Sequence, residues 1–331
     1  MTKVYSTRKL PGEALNLLEE NGIDFTFNPK DEPPSEGVLK REVSEVDGLL
    51  CLLTEKITPS VIDAGENLKV IANIAVGYDN IDVKRATEKG IFVTNTPGVL
   101  TETTADLAWA LLMAAARRIV EADKFLRAGK WKIQWNLMFM TGLDVYSKTL
   151  GIMGLGRIGQ AVAKRAKGFN MKILYHDEKR NPEAEDELGV QYADMETVLK
   201  EADFISIHVP LTEKTRGFIS DRQLALMKKT AILINTSRGP VIDESALYRA
   251  LKQGTISGAG LDVFQKEPID RDNPLIKLEN VVLVPHIGSA STETRTKMAV
   301  MAVENAISAL RGKAPQNLVN PDVLKLRTPT C

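Results

Sequence analysis

The chain has 331 residues, and its 43 lysines and arginines balance its 43 aspartates and glutamates, so the formal net charge is zero. Without excess positive charge, it is a poor candidate for binding nucleic acid or an anionic membrane surface. Two cysteines, Cys51 and Cys331, are too few for a disulfide framework or a cysteine-rich metal site, and we expect no bound metal. No apolar signal segment follows Met1 and no apolar run approaches roughly 20 residues, so we expect a cytoplasmic protein.

The first part of the chain alternates short apolar segments with amphipathic helical ones. The predicted strands are residues 4–5, 23–27, 48–53, 68–74 and 91–94. Because strand and helix alternate, we expect βαβ units and a parallel sheet in this region. The length of the whole chain predicts about two domains, since one domain takes roughly 150 residues.

A long segment without strand character comes next. Residues 101–128 contain no glycine or proline and are rich in alanine and leucine, which predicts one long helix that ends at Gly129. Residues 130–148 show no clear periodicity, and we predict an irregular segment there.

A second alternation of strands and helices begins after this segment. The predicted strands are residues 149–153, 172–175, 204–208, 231–236, 257–263 and 280–284. Their nearly continuous apolar character is typical of a parallel sheet covered on both faces. Residues 291–310 predict another long helix that Gly312 ends, and residues 313–331 are predicted to be extended.

A glycine-rich motif directly follows the first strand of this second set. Gly154, Gly156 and Gly159 form Gly-x-Gly-x-x-Gly, and a helical pattern comes after them. The first glycine permits a tight turn, the second lets the backbone approach a pyrophosphate, and the third allows close packing of helix and strand. The motif predicts a dinucleotide-binding domain in the middle of the chain.

The choice of dinucleotide depends on the acidic residue that follows the second strand of this set. Asp177 lies 177 − 156 = 21 residues beyond Gly156, where a carboxylate accepts hydrogen bonds from both ribose hydroxyls and repels a 2′-phosphate. This spacing favours NAD(H). Lys179 and Arg180 lie close by and leave NADP(H) open as a second cofactor.

The motif position predicts two doubly wound α/β domains. Residues 100–289 would form a Rossmann-type dinucleotide-binding domain. Residues 1–99 and 290–331 would form a smaller, discontinuous, flavodoxin-like substrate-binding domain.

Three histidines are candidates for the proton donor that a hydride-transfer site needs. His176 precedes the acid near the predicted ribose site, and we interpret it as a surface or packing residue. His208 ends a buried strand, and we interpret it as structural. His286 lies just beyond the last strand, where ligand crevices of open α/β sheets form, although its pattern fits a core histidine equally well.

Two further turns follow strands at the same predicted sheet edge and carry Arg238 and Glu267. Arginine offers a planar fork for a carboxylate, and a carboxylate beside a histidine favours the protonated imidazolium. Each residue alone is more often part of a surface ion pair. Together with His286, they are the groups that the reduction of an α-keto acid requires.

These motifs resemble those of the D-isomer-specific 2-hydroxyacid dehydrogenase family along nearly the whole chain. The matching segments are residues 75–82, 103–106, 154–159 and 286–289 and the turns at Arg238 and Glu267. Residues 144–148 and 312–320 are most similar to glyoxylate/hydroxypyruvate reductases of that family. Two positions depart from the pattern, because Phe139 stands where those enzymes tend to have tryptophan and Asp177 where some NADPH-dependent ones have a small polar residue.

The resemblance implies a homodimer formed through the dinucleotide-binding domains, with the cofactor between two domains. It implies that Arg238 holds the substrate carboxylate, that His286 exchanges the proton, and that Glu267 hydrogen-bonds to the histidine. Implied cofactor contacts are Thr104, Gly154, Gly156, Arg157, Ile158, Gly159, Asp177, Val209, Pro210, Thr215, Thr236, Asp262 and Gly288. Implied substrate contacts are Leu53, Ser289, Arg238, His286 and the backbone amides of Val76 and Gly77.

The sequence therefore predicts an NAD(P)H-dependent reductase of small 2-keto acids, glyoxylate and hydroxypyruvate first, that yields D-2-hydroxy acids. One alternative is a dehydrogenase of the same fold that acts on another small anion, of the phosphite, D-lactate or 3-phosphoglycerate type. The other is an NAD-sensing binding protein like the C-terminal-binding-protein corepressors, which keep the same catalytic residues.

Overall fold

The structure is a computed structural model, and it describes residues 2–326. Its strands are β1 (Lys3–Ser6), β2 (Asp24–Phe27), β3 (Gly48–Cys51), β4 (Val70–Asn73), β5 (Phe92–Thr94), β6 (Thr149–Met153), β7 (Lys172–His176), β8 (Gln191–Tyr192), β9 (Phe204–Ile207), β10 (Ile232–Asn235), β11 (Gly258–Leu261) and β12 (Val281–Leu283). Its helices are α1 (Gly12–Glu20), α2 (Glu36–Ser44), α3 (Pro59–Ala64), α4 (Val83–Glu88), α5 (Thr101–Ala116), α6 (Ile119–Arg127), α7 (Arg157–Ala166), α8 (Pro182–Leu188), α9 (Met195–Glu201), α10 (Asp221–Leu226), α11 (Glu244–Gln253), α12 (Thr292–Leu310) and α13 (Val323–Leu326).

The chain divides into two compact units. The first unit comprises Met1–Leu100 and Ala290–Cys331, and the second comprises Thr101–Ser289. Of the residues in the first unit, Met1 and 327–331, which include Cys331, lie outside the described part of the chain.

The first unit contains a five-stranded parallel sheet in the order β2-β1-β3-β4-β5. The five strands predicted from the first alternation are confirmed. Strand order 2-1-3-4-5 is that of flavodoxin-like doubly wound folds, which confirms the predicted class. The strands β3 and β4 are fully buried, as expected for central parallel strands covered on both faces.

The second unit contains a seven-stranded sheet in the order β12-β11-β10-β9-β6-β7-β8, and all its strand pairs are parallel. The chain leaves β6 toward β7 and later returns to β9 on the other side, so β6 and β9 flank a topological switch point. This is the Rossmann order with one extra strand. The six predicted strands are confirmed, but β8 was missed because its two residues are exposed and form no apolar run.

Successive residues of these strands pack into two separate hydrophobic clusters. Leu150 and Ile152 belong to one cluster and Met153 to the other, and the same alternation separates Ile232 from Leu233. Both faces of the sheet are therefore buried, as the nearly continuous apolar character of the strands predicts.

The predicted single helix over residues 101–128 is wrong, because the structure has two helices, α5 and α6, in its place. Arg118 adopts a left-handed backbone conformation with φ of 55° and forms an ion pair with Glu121 in the first turn of α6. The last carbonyl of α5, on Ala116, accepts a hydrogen bond from the Leu143 amide at 2.8 Å instead of a following helical turn. Tertiary contact thus ends a helix that local propensity alone would continue.

The predicted extended tail is also partly wrong. Within its described part, residues 313–326, the chain makes an antiparallel bridge between Leu318 and Thr94 and then forms the short helix α13. The side chain of Asn320 holds the segment to β5, because its oxygen accepts from the Val93 amide at 2.8 Å. Among the helices of residues 2–326, none combines the length and apolar character needed to cross a bilayer.

Candidate active site

Turns that follow β10, β11 and β12 lie at one edge of the sheet, because Asn235 is in register with Leu261 and Leu261 with Leu283. The central pair at this edge is His286 and Glu267. The ring nitrogen Nδ1 of His286 lies 2.6 Å from Oε2 of Glu267, and both side chains are half-buried. The hydrogen bond orients the ring and leaves Nε2 as the nitrogen that can exchange a proton with a ligand.

The loop that carries His286 is held in an uncommon backbone conformation. His286 has φ of 52°, in the left-handed region that costs free energy for a residue other than glycine. Its amide donates to the Asp262 carbonyl at 2.9 Å, and both carboxylate oxygens of Asp262 accept from the amides of Ile287 and Gly288 at 2.6 and 2.9 Å. The buried Asp262 thus fixes the backbone that carries His286.

Arg238 projects from a turn that is fixed by Asn235, the last residue of β10. The Asn235 side chain donates to the Arg238 carbonyl at 3.0 Å and accepts from the Ser237 amide at 3.0 Å. Gly239 follows, and a Cβ there would lie 1.9 Å from the backbone of Phe264, so this turn packs directly against the loop that leads to Glu267.

The two carboxyl groups at this edge have opposite pKa shifts. Burial is the largest influence on Asp262 and raises the pKa of its carboxyl, although the Ile287 amide, a charged His286 and the Gly288 amide counteract it. Burial is also the largest single influence on Glu267, but the hydrogen bond and charge of His286, the Phe264 amide and the Arg238 charge together lower the pKa of Glu267. Glu267 therefore stays an anion that can stabilise a protonated imidazole.

The glycine-rich turn lies at the neighbouring part of the same edge, after β6. Gly154 has φ of 94°, and a Cβ on Gly159 would lie 2.2 Å from the Gly154 carbonyl oxygen, so both positions require glycine. Gly156 directly precedes α7, and a Cβ placed on it would meet no heavy atom of the described chain within 4 Å except those of its own neighbours. This opening beside a helix N-terminus fits a bound pyrophosphate.

Asp177 lies beside this turn. Its Oδ2 accepts from the Leu155 amide at 2.7 Å and its Oδ1 from the Glu178 amide at 2.7 Å. The guanidinium of Arg180 is not a free cation beside Asp177, because it forms a bidentate ion pair with Glu185. The hydrogen bonds from Arg180 and from the Tyr175 hydroxyl lower the pKa of Glu185 to about 2.

Other predicted cofactor residues lie at the same edge. Thr104 and Gly288 are close together, since a Cβ on Gly288 would lie 3.5 Å from the Thr104 hydroxyl. The buried hydroxyl of Thr236 finds no hydrogen-bond partner among residues 2–326, as expected of a group that awaits a ligand. The remaining ones lie at the start of α7 (Arg157, Ile158) and in the loop after β9 (Val209, Pro210, Thr215).

The other two histidines have structural surroundings. Burial lowers the pKa of His208 to about 3, and its Nε2 lies 2.8 Å from the Ser206 hydroxyl. His176 lies against the Tyr192 ring, and its Nδ1 is 3.2 Å from the Ala193 carbonyl. Neither ring has a carboxylate within hydrogen-bond distance in the described part of the chain, which distinguishes both from His286.

The predicted substrate residues Val76 and Gly77 belong to the first unit, in the turn after β4. The Asn95 side chain donates to the Val76 carbonyl at 2.8 Å, and the Asn73 side chain donates to the Gly77 carbonyl at 2.7 Å. The Asn95 bond fixes the peptide plane that carries the Gly77 amide, and the Asn73 bond fixes the plane that carries the Tyr78 amide. The Val76 amide shares its plane with the Ala75 carbonyl, which accepts from the Thr96 amide at 2.9 Å. Sequence reasoning missed both asparagines, although asparagine beside a strand-end glycine is a common signal for such a turn.

Leu53, another predicted substrate residue of the first unit, lies in the loop after β3. A buried carboxylate, Glu55, holds this loop by accepting from the Leu52 amide and the Thr7 hydroxyl, each at 2.7 Å. Arg8 forms an ion pair with the same carboxylate. Ser289, the last predicted substrate residue, ends the second unit. Among residues 2–326, no cluster of three or more His, Cys, Asp or Glu side chains could hold a metal ion.

Known proteins are similar to this chain in sequence and in structure. A family model described as D-isomer specific 2-hydroxyacid dehydrogenase, NAD binding domain, matches residues 109–288. A glyoxylate reductase of Korarchaeum cryptofilum is 57% identical over 327 residues, which are 99% of this chain, and the match covers 98% of that protein.

Solved structures extend the comparison to the fold. The TT0316 protein of Thermus thermophilus is 45% identical with a TM-score of 0.91, and the match covers 96% of this chain and all of that one (100%). An NADPH-dependent glyoxylate/hydroxypyruvate reductase of Sinorhizobium meliloti, solved with NADP and malonate, is 33% identical with a TM-score of 0.86 and 97% coverage of each chain.

The seven-stranded doubly wound sheet and its glycine-rich turn define a Rossmann-type domain for a nicotinamide dinucleotide. The chain belongs to the D-isomer-specific 2-hydroxyacid dehydrogenase family.

Proposed function

We propose that the protein reduces small 2-keto acids, glyoxylate and hydroxypyruvate first, to D-2-hydroxy acids with a nicotinamide dinucleotide. The observation that carries the proposal is the 2.6 Å contact between His286 and Glu267 at the sheet edge where the Arg238 charge also acts on Glu267. The glyoxylate reductase at 57% identity over nearly its full length supports the choice of substrate.

The three side chains have distinct roles in this reaction. The Arg238 guanidinium binds the substrate carboxylate and polarises the neighbouring carbonyl. The protonated His286 donates the proton from Nε2 to the keto oxygen, and the reverse reaction uses the neutral ring as a base. Glu267 holds the ring through Nδ1 and stabilises its protonated form.

The bound dinucleotide supplies the hydride that adds to the keto carbon. The glycine-rich turn and the N-terminus of α7 would hold its pyrophosphate, and Asp177 would accept from its ribose. Thr236 and the Thr104–Gly288 contact would lie against the rest of the cofactor. Since Asp177 is anionic and Arg180 is tied to Glu185, we propose that NADH is preferred to NADPH.

The first unit contributes the predicted substrate amides. We propose that the amides of Val76 and Gly77 bind the substrate carboxylate, and that Leu53 contacts the rest of the small molecule. The Gly77 amide is fixed through the bond from Asn95 to the Val76 carbonyl, and the Val76 amide through the bond from the Thr96 amide to the Ala75 carbonyl. Donors on a fixed backbone do not need to reorganise when the anion binds.

We also propose a homodimer formed through the second unit. Residues 131–139 expose six large apolar side chains, with Trp135 82% and Ile133 74% exposed. An exposed apolar patch of this kind marks an interaction surface, and a second copy of the chain is the occupant that we propose. Light scattering that gives the mass of a single chain would contradict this part of the proposal.

A screen of NADH oxidation tests the proposed function. The purified chain is mixed with NADH and glyoxylate, hydroxypyruvate, pyruvate or phenylpyruvate, and absorbance of NADH is followed. We expect the highest kcat/KM with glyoxylate or hydroxypyruvate. Turnover only with a bulkier keto acid or with another small anion would contradict the substrate, and NADH binding without any turnover would contradict the enzyme.

A further inference from the structure

The loop that carries Glu267 has little apolar packing, since Ile269 contacts a hydrophobic cluster of the sheet but most of its other residues are exposed. Gln265 and Lys266 are exposed, and Gln265 and Asn273 line a surface cavity of about 350 Å³ together with Glu244. The position of Glu267 must therefore depend on hydrogen bonds that hold the loop from outside.

Glu244, the first residue of α11, holds this loop at both ends. One carboxylate oxygen accepts a hydrogen bond from the Gln265 amide, and the other accepts from the Asn273 side-chain nitrogen at 3.0 Å. The Asn273 side chain is itself oriented, because its oxygen accepts from the Leu275 amide at 3.0 Å and Leu275 is buried. A single carboxylate thus closes the loop between residues 265 and 273.

From this loop, the contacts continue to the proton donor. The Phe264 amide donates to Oε1 of Glu267 at 3.0 Å, and Oε2 of Glu267 contacts His286 at 2.6 Å. The same segment at Phe264 packs against Gly239, which follows Arg238 in the chain. Gly239 lies in the connection between β10 and α11 and Glu244 begins α11, so one stretch of chain supports the arginine turn and the glutamate loop together.

We propose that Glu244 is a positioning residue that acts through Glu267 on His286. It does not contact substrate. Its two hydrogen bonds set the position of the Glu267 carboxylate and therefore the strength of the Glu267–His286 contact, which the proposed reaction requires. The inference rests on the proposed function only for its kinetic consequence, because the contact itself can be observed without turnover.

The test replaces Glu244 with glutamine. A carboxylate offers two acceptor oxygens, whereas an amide offers one, so E244Q must turn its NH2 group toward either the Gln265 amide or Asn273. We expect kcat for glyoxylate reduction to fall about tenfold, with KM for NADH and the melting temperature close to wild type. We expect the pH at which the reduction rate is half lost on the alkaline side to move down.

Two variants separate positioning from a general loss of structure. The matched control is D270N, which breaks the exposed ion pair between Asp270 and Lys266 in the same loop and should leave kcat unchanged. N273D keeps the oxygen that accepts from Leu275 but replaces the donor to Glu244 with a second negative charge. It should therefore equal or exceed the effect of E244Q, even if E244Q folds poorly.

Proton NMR gives a readout that needs no turnover. The His286 Nδ1 proton bonded to Glu267 should give a far-downfield resonance, identified by its loss in H286Q and E267Q. E244Q should shift it upfield or broaden it, and D270N should not. An unchanged resonance together with an unchanged kcat would overturn the positioning role, whatever the substrate proves to be.

A double-variant cycle completes the test. If Glu244 acts through Glu267, adding E244Q to E267Q should lower kcat less than twofold further. A full tenfold further loss would show that Glu244 acts by another route and would overturn the inference. A wild-type chain that reduces no keto acid would instead contradict the proposed function, and the NMR measurement would still decide the role of Glu244.

Discussion

The two halves of the seven-stranded sheet present polar groups in different ways. In the β10–β12 half, two side chains from separate turns, His286 and Glu267, contact each other, in addition to the bonds that Asp262 accepts from backbone amides of the loop after β12. In the β6–β8 half, the backbone dominates, because glycines open the turn after β6 and Asp177 is held by the Leu155 amide.

This difference implies that a substitution in one half of the sheet should leave the function of the other half unchanged. In the proposed reaction, a side-chain pair at the β10–β12 half transfers the proton, so removing one partner should affect the rate and not cofactor binding. The proposed selection between dinucleotides rests on a carboxylate at the β6–β8 half, so changing it should affect cofactor choice and not proton transfer. The strand β9 lies between the halves and ends at Ile207. His208 follows it directly, and its surroundings resemble those of neither half.

The largest effect is expected at His286. H286A should lower kcat for glyoxylate reduction about 10³-fold, because the general acid is lost. NADH affinity, measured by fluorescence titration, should change less than twofold, since the β6–β8 half is untouched. H208Q is the matched control and should retain most of the activity. Comparable activity losses in the two variants would contradict the assignment of His286.

A second effect concerns the stability of the folded chain at acid pH, and it distinguishes the buried His208 from His286. Burial holds the pKa of His208 at about 3 in the folded chain, below its ordinary value of 6.5. Between these values the unfolded chain binds the proton more readily, so the free energy of unfolding falls as pH falls through this window. At pH 5 the loss should be about 2 kcal/mol, since each pH unit below 6.5 contributes about 1.4 kcal/mol.

H208Q tests this linkage, because glutamine does not titrate and can still bond to the Ser206 hydroxyl. Urea unfolding of wild type and H208Q at pH 7 and pH 5 gives the four free energies needed. The wild type should lose more stability than H208Q between the two pH values. Equal losses would show that the His208 ring is charged in the folded chain, and the contrast between the two histidines would disappear.

Sequence patterns were sufficient for the architecture of both sheets. Apolar runs of strand length located eleven of the twelve strands, and the glycine spacing located the turn after β6. The exceptions have a physical cause. The strand β8 has no apolar run, and α5 ends because the Leu143 amide, far along the chain, takes the carbonyl of Ala116.

The site was less predictable in its supporting contacts than in its reacting groups. Residue type and the position after neighbouring strands together suggest Arg238, Glu267 and His286, because few side chains can bind a carboxylate or transfer a proton. Asp243 and Glu244 in sequence suggest only the start of a helix, and Asp243 does cap α11. That Glu244 reaches the loop from Gln265 to Asn273 depends on tertiary packing, which local spacing does not encode.

The smallest effect is expected at Asp177, where the β6–β8 half can be altered alone. D177S should raise the ratio of kcat/KM with NADPH to that with NADH about tenfold, because the carboxylate that repels a 2′-phosphate is lost. Arg180 should limit the gain, since Glu185 holds its guanidinium. E178Q is the matched control, because Glu178 carries the adjacent negative charge but pairs with Lys214 at the surface. A ratio that moves equally in E178Q would mean that general charge, and not the Asp177 position, selects the cofactor.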